Sequence, residues 1–178
     1  IVQIDSMNDK RGYFYEKWNN KNFDKLLSEN IQFVQDNISK SKKGVIRGIH
    51  YQLYPKAQSK LVSCLFGEVF DVALDIRIGS PKFGHYVMVE LSSSNKKMLY
   101  IPEGFAHGFI TVSKIAEVNY KTNNFWDKDS ERTIIWNDKD LKINWKLKEL
   151  NLKSPLISKK DNSGDSILYL RNKKDLFS

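Results

Sequence analysis

The chain contains three histidines, His50, His85 and His107, and their surroundings differ. His50 lies in Arg47-Gly48-Ile49-His50-Tyr51-Gln52. There Gly48, His50 and Gln52 fall on one strand face, and the apolar Ile49 and Leu53 on the other. A polar strand face lining a barrel is a usual place for a ligand. An imidazole, with an ordinary pKa of about 6.5, can take up a proton near neutral pH. His107 lies in Pro102-Glu103-Gly104-Phe105-Ala106-His107-Gly108-Phe109, while His85 follows the turn Pro81-Lys82-Phe83-Gly84 and reads as a surface residue. A histidine taken alone is more often structural than catalytic. The strand setting is what singles out His50.

Metal sites in such barrels call for paired histidines with a carboxylate and a further histidine. This sequence has no His-x-His pair, and Cys64 is its single cysteine. No metal is expected, which leaves organic acid–base chemistry. Lys60 opens the stretch Lys60-Leu61-Val62 and aims with Val62 and Cys64; a solvated strand-end lysine is its plainer reading. Asp71 sits mid-strand, and a buried carboxylate there must be paired or hydrogen-bonded, either to orient a histidine or in a structural pair. Tyr120 is by default a core aromatic with a satisfied hydroxyl; it becomes a proton donor if it faces the same cavity as His50. There is no glycine-rich dinucleotide or phosphate loop. Ser92, Ser93 and Ser94 lack a nucleophile-elbow setting, and no basic–aromatic stripe of the RNA-binding sort is present.

The elements that must position these groups are mostly strands. Val69 to Arg77 is the clearest, with Phe70, Val72, Leu74 and Ile76 on one face and Asp71, Ala73, Asp75 and Arg77 on the other. Strands are also expected over Tyr13 to Trp18, Phe33 to Ile38, Gly44 to Leu53, Leu61 to Phe66, Tyr86 to Leu91, Lys97 to Ile101, Phe109 to Val112, Ala116 to Thr122 and Thr133 to Trp136. A short helix fits Asn22 to Glu29, with Phe23, Leu26 and Leu27 on one side, and another fits the region Asp161 to Leu170. Short strands separated by turn residues predict an all-β sandwich or barrel, and a jelly roll fits the count.

A length of 178 residues suits one compact domain, expected to span residues 1–178. No apolar run is long enough to cross a bilayer, and the N-terminus has no signal-peptide layout. The chain opens on Ile1 rather than Met, so a short native segment is expected before it. The lone cysteine fits a reducing, cytoplasmic setting. The net charge of +8 favours anionic partners, either nucleic acid or a diphosphate-bearing small molecule. A solvated lysine-rich surface accounts for most of it.

Several motifs together resemble the dTDP-4-dehydrorhamnose 3,5-epimerases. They are Arg11-Gly12, Phe33-Val34-Gln35-Asp36-Asn37, Gly44 to Gln52, Gly67-Glu68-Val69-Phe70-Asp71-Val72, Ser80 to Gly84, Ile101 to Phe109 and Leu156 to Asp161, in family-like order and spacing. The resemblance implies a cupin-type jelly roll, a homodimer, no cofactor, and a nucleotide-diphosphate sugar as substrate. Neither nucleic acid nor membrane is implied as a partner. It implies that His50 is the general base, Asp161 the acid that orients it, Tyr120 the proton donor on the opposite face of the sugar, and Lys60 the neighbour of the keto oxygen, with Asp71 close by. Arg11, Glu16, Gln35, Asp36, Asn37, Arg47, His107, Glu131 and Lys160 match substrate contacts. Trp126 stands where the family stacks an aromatic, often tyrosine, on the nucleotide base.

The implied reaction removes the hydrogens on carbons 3 and 5 beside a carbon 4 ketone. The enolate so formed needs a positive group near its oxygen, which Lys60 would supply. Other readings are a single-site epimerase, which keeps the same dyad, a non-catalytic sugar-binding jelly roll, and a basic nucleic-acid-binding barrel. A related 4-keto sugar isomerase would carry a second histidine at position 52, where Gln52 stands.

Overall fold

The structure, a computed structural model, describes residues 1–27 and 30–178. Its elements are β1 (Val2–Gln3), β2 (Met7–Asp9), β3 (Gly12–Phe14), α1 (Asn20–Leu27), β4 (Gln35–Lys42), β5 (Ile46–Gln52), β6 (Lys60–Phe66), β7 (Glu68–Asp75), β8 (Tyr86–Ser92), β9 (Lys97–Ile101), β10 (Phe105–Thr111), β11 (Ile115–Thr122), β12 (Glu131–Thr133), α2 (Lys159–Asn162) and α3 (Ile167–Asn172). One five-stranded antiparallel sheet runs β1-β9-β6-β11-β4 and a second runs β12-β5-β10-β7-β8. Together they form the all-β jelly roll that the strand spacing predicts.

Alternation of side chains sorts each strand between three apolar layers. Val62, Cys64, Leu99, Ile101 and Val118 of the first sheet meet Val69, Ala73, Leu91 and Phe109 of the second between the sheets. The outer face of the first sheet buries Leu61 and Met98 under Phe23 of α1. The outer face of the second buries Ile46, Ile49, Tyr51, Val72, Leu74 and Ile110 under Trp145, Leu150, Leu170, Leu176 and Phe177. The lysine-rich C-terminal stretch therefore contributes core. At about 2–5 kcal/mol for truncating a buried leucine to alanine, Leu170 alone matters to stability.

The apolar face of β7 consequently packs outward against the C-terminal segment, and its polar face, with Asp71 and Ala73, looks between the sheets. Two strands begin earlier than their apolar residues suggest. β10 starts at Phe105, so His107 is a strand residue, and β12 runs from Glu131 only to Thr133, so Ile134 to Trp136 of the expected last strand lie beyond it. β4 starts at Gln35 and runs on to Lys42, and the strand expected at Tyr13 is confined to β3. α1 buries Phe23, which packs on Trp18 with ring centroids 4.6 Å apart, whereas Leu26 is exposed. Ser28 and Glu29 of the helix expected there lie outside the described residues.

The helix expected over Asp161 to Leu170 is divided into α2 and α3. Between them, Asp165 donates its N–H to Thr133 O and accepts from Ile135 N, and a Cβ on Gly164 would lie 2.8 Å from Ile135 N. Pairing to the β12 edge thus interrupts the helix, and Ser166 caps the new start by accepting from Tyr169 N.

Candidate functional site

A cleft of about 540 Å³ opens between the sheets, and a smaller space of about 140 Å³ adjoins it, sharing His50, Lys60, Tyr120, Trp126 and Glu131. The first sheet supplies Lys60 from β6, Tyr120 from β11 and Gln35, Asn37 and Ser39 from β4. The second supplies Arg47 and His50 from β5, His107 from β10 and Glu131 from β12. Lys160 and Asp161 come from α2, and Trp126 from the loop before β12.

Arg47 and His50 are three residues apart, a spacing that sends side chains to opposite faces of a regular strand. A β-bulge brings them together. His107 pairs with His50 and Phe109 with Arg47, so Gly48 and Ile49 together oppose Gly108. Gly48 has φ +114°, and a Cβ on it would lie 2.6 Å from both Gly108 Cα and His107 O, so only glycine fits. Ile49 points the other way, into the fully buried outer layer.

His50 Nε2 lies 2.7 Å from Asp161 Oδ1. With Nε2–H donated to this carboxylate, the lone pair of the neutral ring is on Nδ1. Asp161 is held in turn. Its N–H donates to the capping hydroxyl of Ser158, and its Oδ2 accepts from Gly48 N. Burial pushes the His50 pKa down, the hydrogen bond and charge of Asp161 push it up, and the balance lies below the ordinary histidine value. Burial would raise the Asp161 carboxyl, but the hydrogen bond and charge of His50 outweigh it and keep the group ionised.

Lys60 is 7 % exposed, and burial lowers its pKa to about 8 against the opposing charges of Glu131 and Asp71. Glu131 also binds Lys160, Oε2 to Nζ 2.6 Å. Tyr120 is pushed above the usual phenol value chiefly by burial, with Arg47 opposing and Glu131 adding, so it stays protonated. Its ring centroid is 6.4 Å from that of His107. His107 Nε2 lies 2.9 Å from Oδ2 of the wholly buried Asp71, which stands behind the histidine and does not line the cleft. Arg47 donates from Nε to Ser41 Oγ at 2.9 Å and stays exposed along the cleft.

Three expected substrate contacts lie away from this cleft. Asp36 follows the alternation of β4 onto the face opposite Gln35 and Asn37, where it pairs with Lys121 at 2.7 Å and accepts from Asn119. Arg11 is exposed on the β2–β3 hairpin, bound to Asp9. Glu16 is exposed and accepts from Asn19 and Asn22. His85 is exposed, as its turn setting suggests. The cleft also contains Ser39, which sequence reasoning missed although Gln35 and Asn37 put it in phase. Among the described residues, Ser39 Oγ and Asn37 Nδ2 are buried polar atoms without a hydrogen-bond partner.

The family profile of dTDP-4-dehydrorhamnose 3,5-epimerase matches residues 1–168. The dTDP-4-dehydrorhamnose 3,5-epimerase of Shigella flexneri is 54 % identical over 160 residues, covering 90 % of this chain and 86 % of that protein. The chain belongs to this family. The epimerase is thus an isomerase, and its fold is that of solved relatives. The crystal structure of the dTDP-4-dehydrorhamnose 3,5-epimerase from Elizabethkingia anophelis NUHP1 aligns with TM-score 0.85 at 48 % identity, covering 92 % of this chain and 88 % of that one. That of the dTDP-6-deoxy-D-glucose-3,5-epimerase from Legionella pneumophila Philadelphia 1, in complex with dTDP-4-keto-L-rhamnose, aligns with TM-score 0.91 at 43 % identity, covering 98 % and 90 %. Among the described residues of the epimerase, no helix is long and apolar enough to cross a membrane.

Proposed function

We propose that residues 1–178 act as one jelly-roll domain that converts dTDP-4-dehydro-6-deoxyglucose to dTDP-4-dehydrorhamnose by inverting carbons 3 and 5. The observation that carries this reading is that His50 and Tyr120 stand on opposite sheets and face one cleft, with buried Lys60 beside them. A sugar ring between the sheets meets a base on one side and an acid on the other. His50, oriented by Asp161, takes the proton from the carbon beside the ketone through Nδ1. Lys60, charged below about pH 8, holds the enolate oxygen. Tyr120 returns a proton from the opposite side, which inverts the centre.

His107 is the second imidazole on the ring, with Asp71 acting through it rather than on the sugar. Arg47, Asn37 and Ser39 face the diphosphate and sugar oxygens, Arg47 as a forked donor to the phosphates. Trp126, 56 % exposed at the mouth of the cleft, offers its face to the base. Glu131 and Lys160 close the sugar end as a pair, and Gln35 lies beneath the Trp126 loop.

The enzyme acts as a homodimer in the cytoplasm. Met7, Tyr13 and Phe14 of the β2–β3 hairpin are exposed apolar side chains. A second copy is proposed to cover them, on the hairpin that also carries the exposed Arg11. Buried, unpaired Cys64 fits a reducing compartment. The test is to follow the dTDP-linked 4-keto-6-deoxyglucose by proton NMR. Inversion at both carbons supports the reading; an unchanged spectrum contradicts it.

A further inference from the structure

We propose that Gln52 is a positioning residue that fixes Trp126 at the mouth of the cleft and thereby sets nucleotide affinity. Gln52 ends β5 and is 2 % exposed. Its carboxamide is spent on backbone around that tryptophan. Nε2 donates to Phe125 O at 3.2 Å and to Lys56 O at 2.7 Å, and Oε1 accepts from Asp127 N at 2.9 Å. Both amide hydrogens and one carbonyl lone pair are therefore used, on the residues immediately before and after Trp126 and on the 53–59 loop. The Trp126 N–H donates to Gln35 Oε1 at 2.9 Å, so the three consecutive residues are tied from the cleft floor. Leu53 N to Ser130 O, 3.0 Å, continues the same seam.

Among the described residues, Trp126 forms no aromatic or cation–π pair, and it is 56 % exposed. The orientation of its indole is inherited from a backbone whose geometry the glutamine dictates. A planar group held before the ligand arrives loses less freedom on binding. Glutamate in place of Gln52 keeps the acceptor for Asp127 N but cannot donate to Phe125 O or Lys56 O. Methionine keeps the length and removes every polar contact.

This inference rests on the reading that Trp126 stacks on the base. The experiment measures dTDP binding by calorimetry, with KM and kcat alongside, for Gln52→Glu and Gln52→Met in the wild-type and Trp126→Ala backgrounds. Each Gln52 variant alone is expected to weaken dTDP binding about tenfold and to raise KM more than it lowers kcat. In the Trp126→Ala background either change should cost less than about twofold. If Trp126→Ala leaves dTDP affinity unchanged, the stacking reading fails, and the inference with it. If Trp126→Ala weakens binding but the Gln52 variants do not, or weaken it equally in both backgrounds, only the inference fails. Loss of cooperative melting in both Gln52 variants would make the glutamine a general support of the fold and overturn the proposal.

Discussion

Asp161 Oδ1 is 2.7 Å from His50 Nε2, and the two residues are 111 positions apart in the chain. The carboxylate belongs to a one-turn helix fixed by its Ser158 cap, and the imidazole to a bulged strand anchored by Ile49 in the outer core. Each partner is held by contacts of its own, so the pair is set before substrate arrives.

Replacing Asp161 by Asn removes the charge with little change in shape. We expect kcat to fall by about a hundredfold to ten-thousandfold. The pH profile carries a second signature. Neutral His50 is the active form, so activity is lost as pH falls through its pKa. Asp161 raises that pKa, against burial, which lowers it. In the variant the acid limb of kcat/KM should therefore move to lower pH, measured by steady-state rates across pH. A shift to higher pH contradicts the pairing.

The basic limb is assigned to Lys60. Its charged form stabilises the enolate, so activity should decline as pH rises through about 8. Glu131→Gln removes the largest charge that opposes burial at Lys60, and so lowers the Lys60 pKa. The basic limb should move to lower pH in this variant. A limb that stays in place, measured in the same buffers as wild type, would assign it to another group.

Tyr120→Phe should separate the two proton transfers. Loss of substrate hydrogen to solvent is expected to stay within about tenfold of wild type, while net inversion falls by about a hundredfold or more. Solvent exchange and product formation, followed together by NMR, give the ratio. Equal loss of both counts against Tyr120 as the donor.

Gly48→Ala tests the bulge. The added Cβ lies 2.6 Å from backbone at Gly108 and His107, in a backbone conformation at φ +114° that side chains rarely adopt. We expect a cost on the order of 2–3 kcal/mol and a fall in Tm of roughly 5–10 °C, with loss of activity as Arg47 and His50 separate. A variant with unchanged melting would show that the bulge carries no strain-sensitive role.

Part of this arrangement is legible in the sequence, because alternation puts Lys60 in phase with Val62 and Cys64 of β6, and Tyr120 in phase with Ala116 and Val118 of β11, and these phases face the space between the sheets. Lys60 and Tyr120 follow directly from it. Three features do not. The Gly48 bulge shifts the phase of β5, and alternation alone cannot place Arg47 beside His50. Asp36 shares a motif with Gln35 and Asn37, but adjacency in sequence puts it on the far side of the sheet. The C-terminal segment looks like a solvated lysine-rich tail because its buried residues, Leu170, Leu176 and Phe177, are spaced by turns and a short helix rather than by one period. Its partner is the outer face of β5 and β7, which only the folded chain brings near.

Every proposed step depends on His50 removing hydrogen from carbon beside a ketone. The direct test is to incubate the dTDP-linked 4-keto-6-deoxyglucose in deuterated water with wild-type enzyme and with His50→Ala, whose fold is checked by thermal melting, and to map the label by NMR. Deuterium is expected at carbons 3 and 5 with wild type and at neither with the variant; label at one carbon alone would mark a single-site epimerase. Label arriving in the His50→Ala reaction at a rate comparable to wild type would contradict this role of His50.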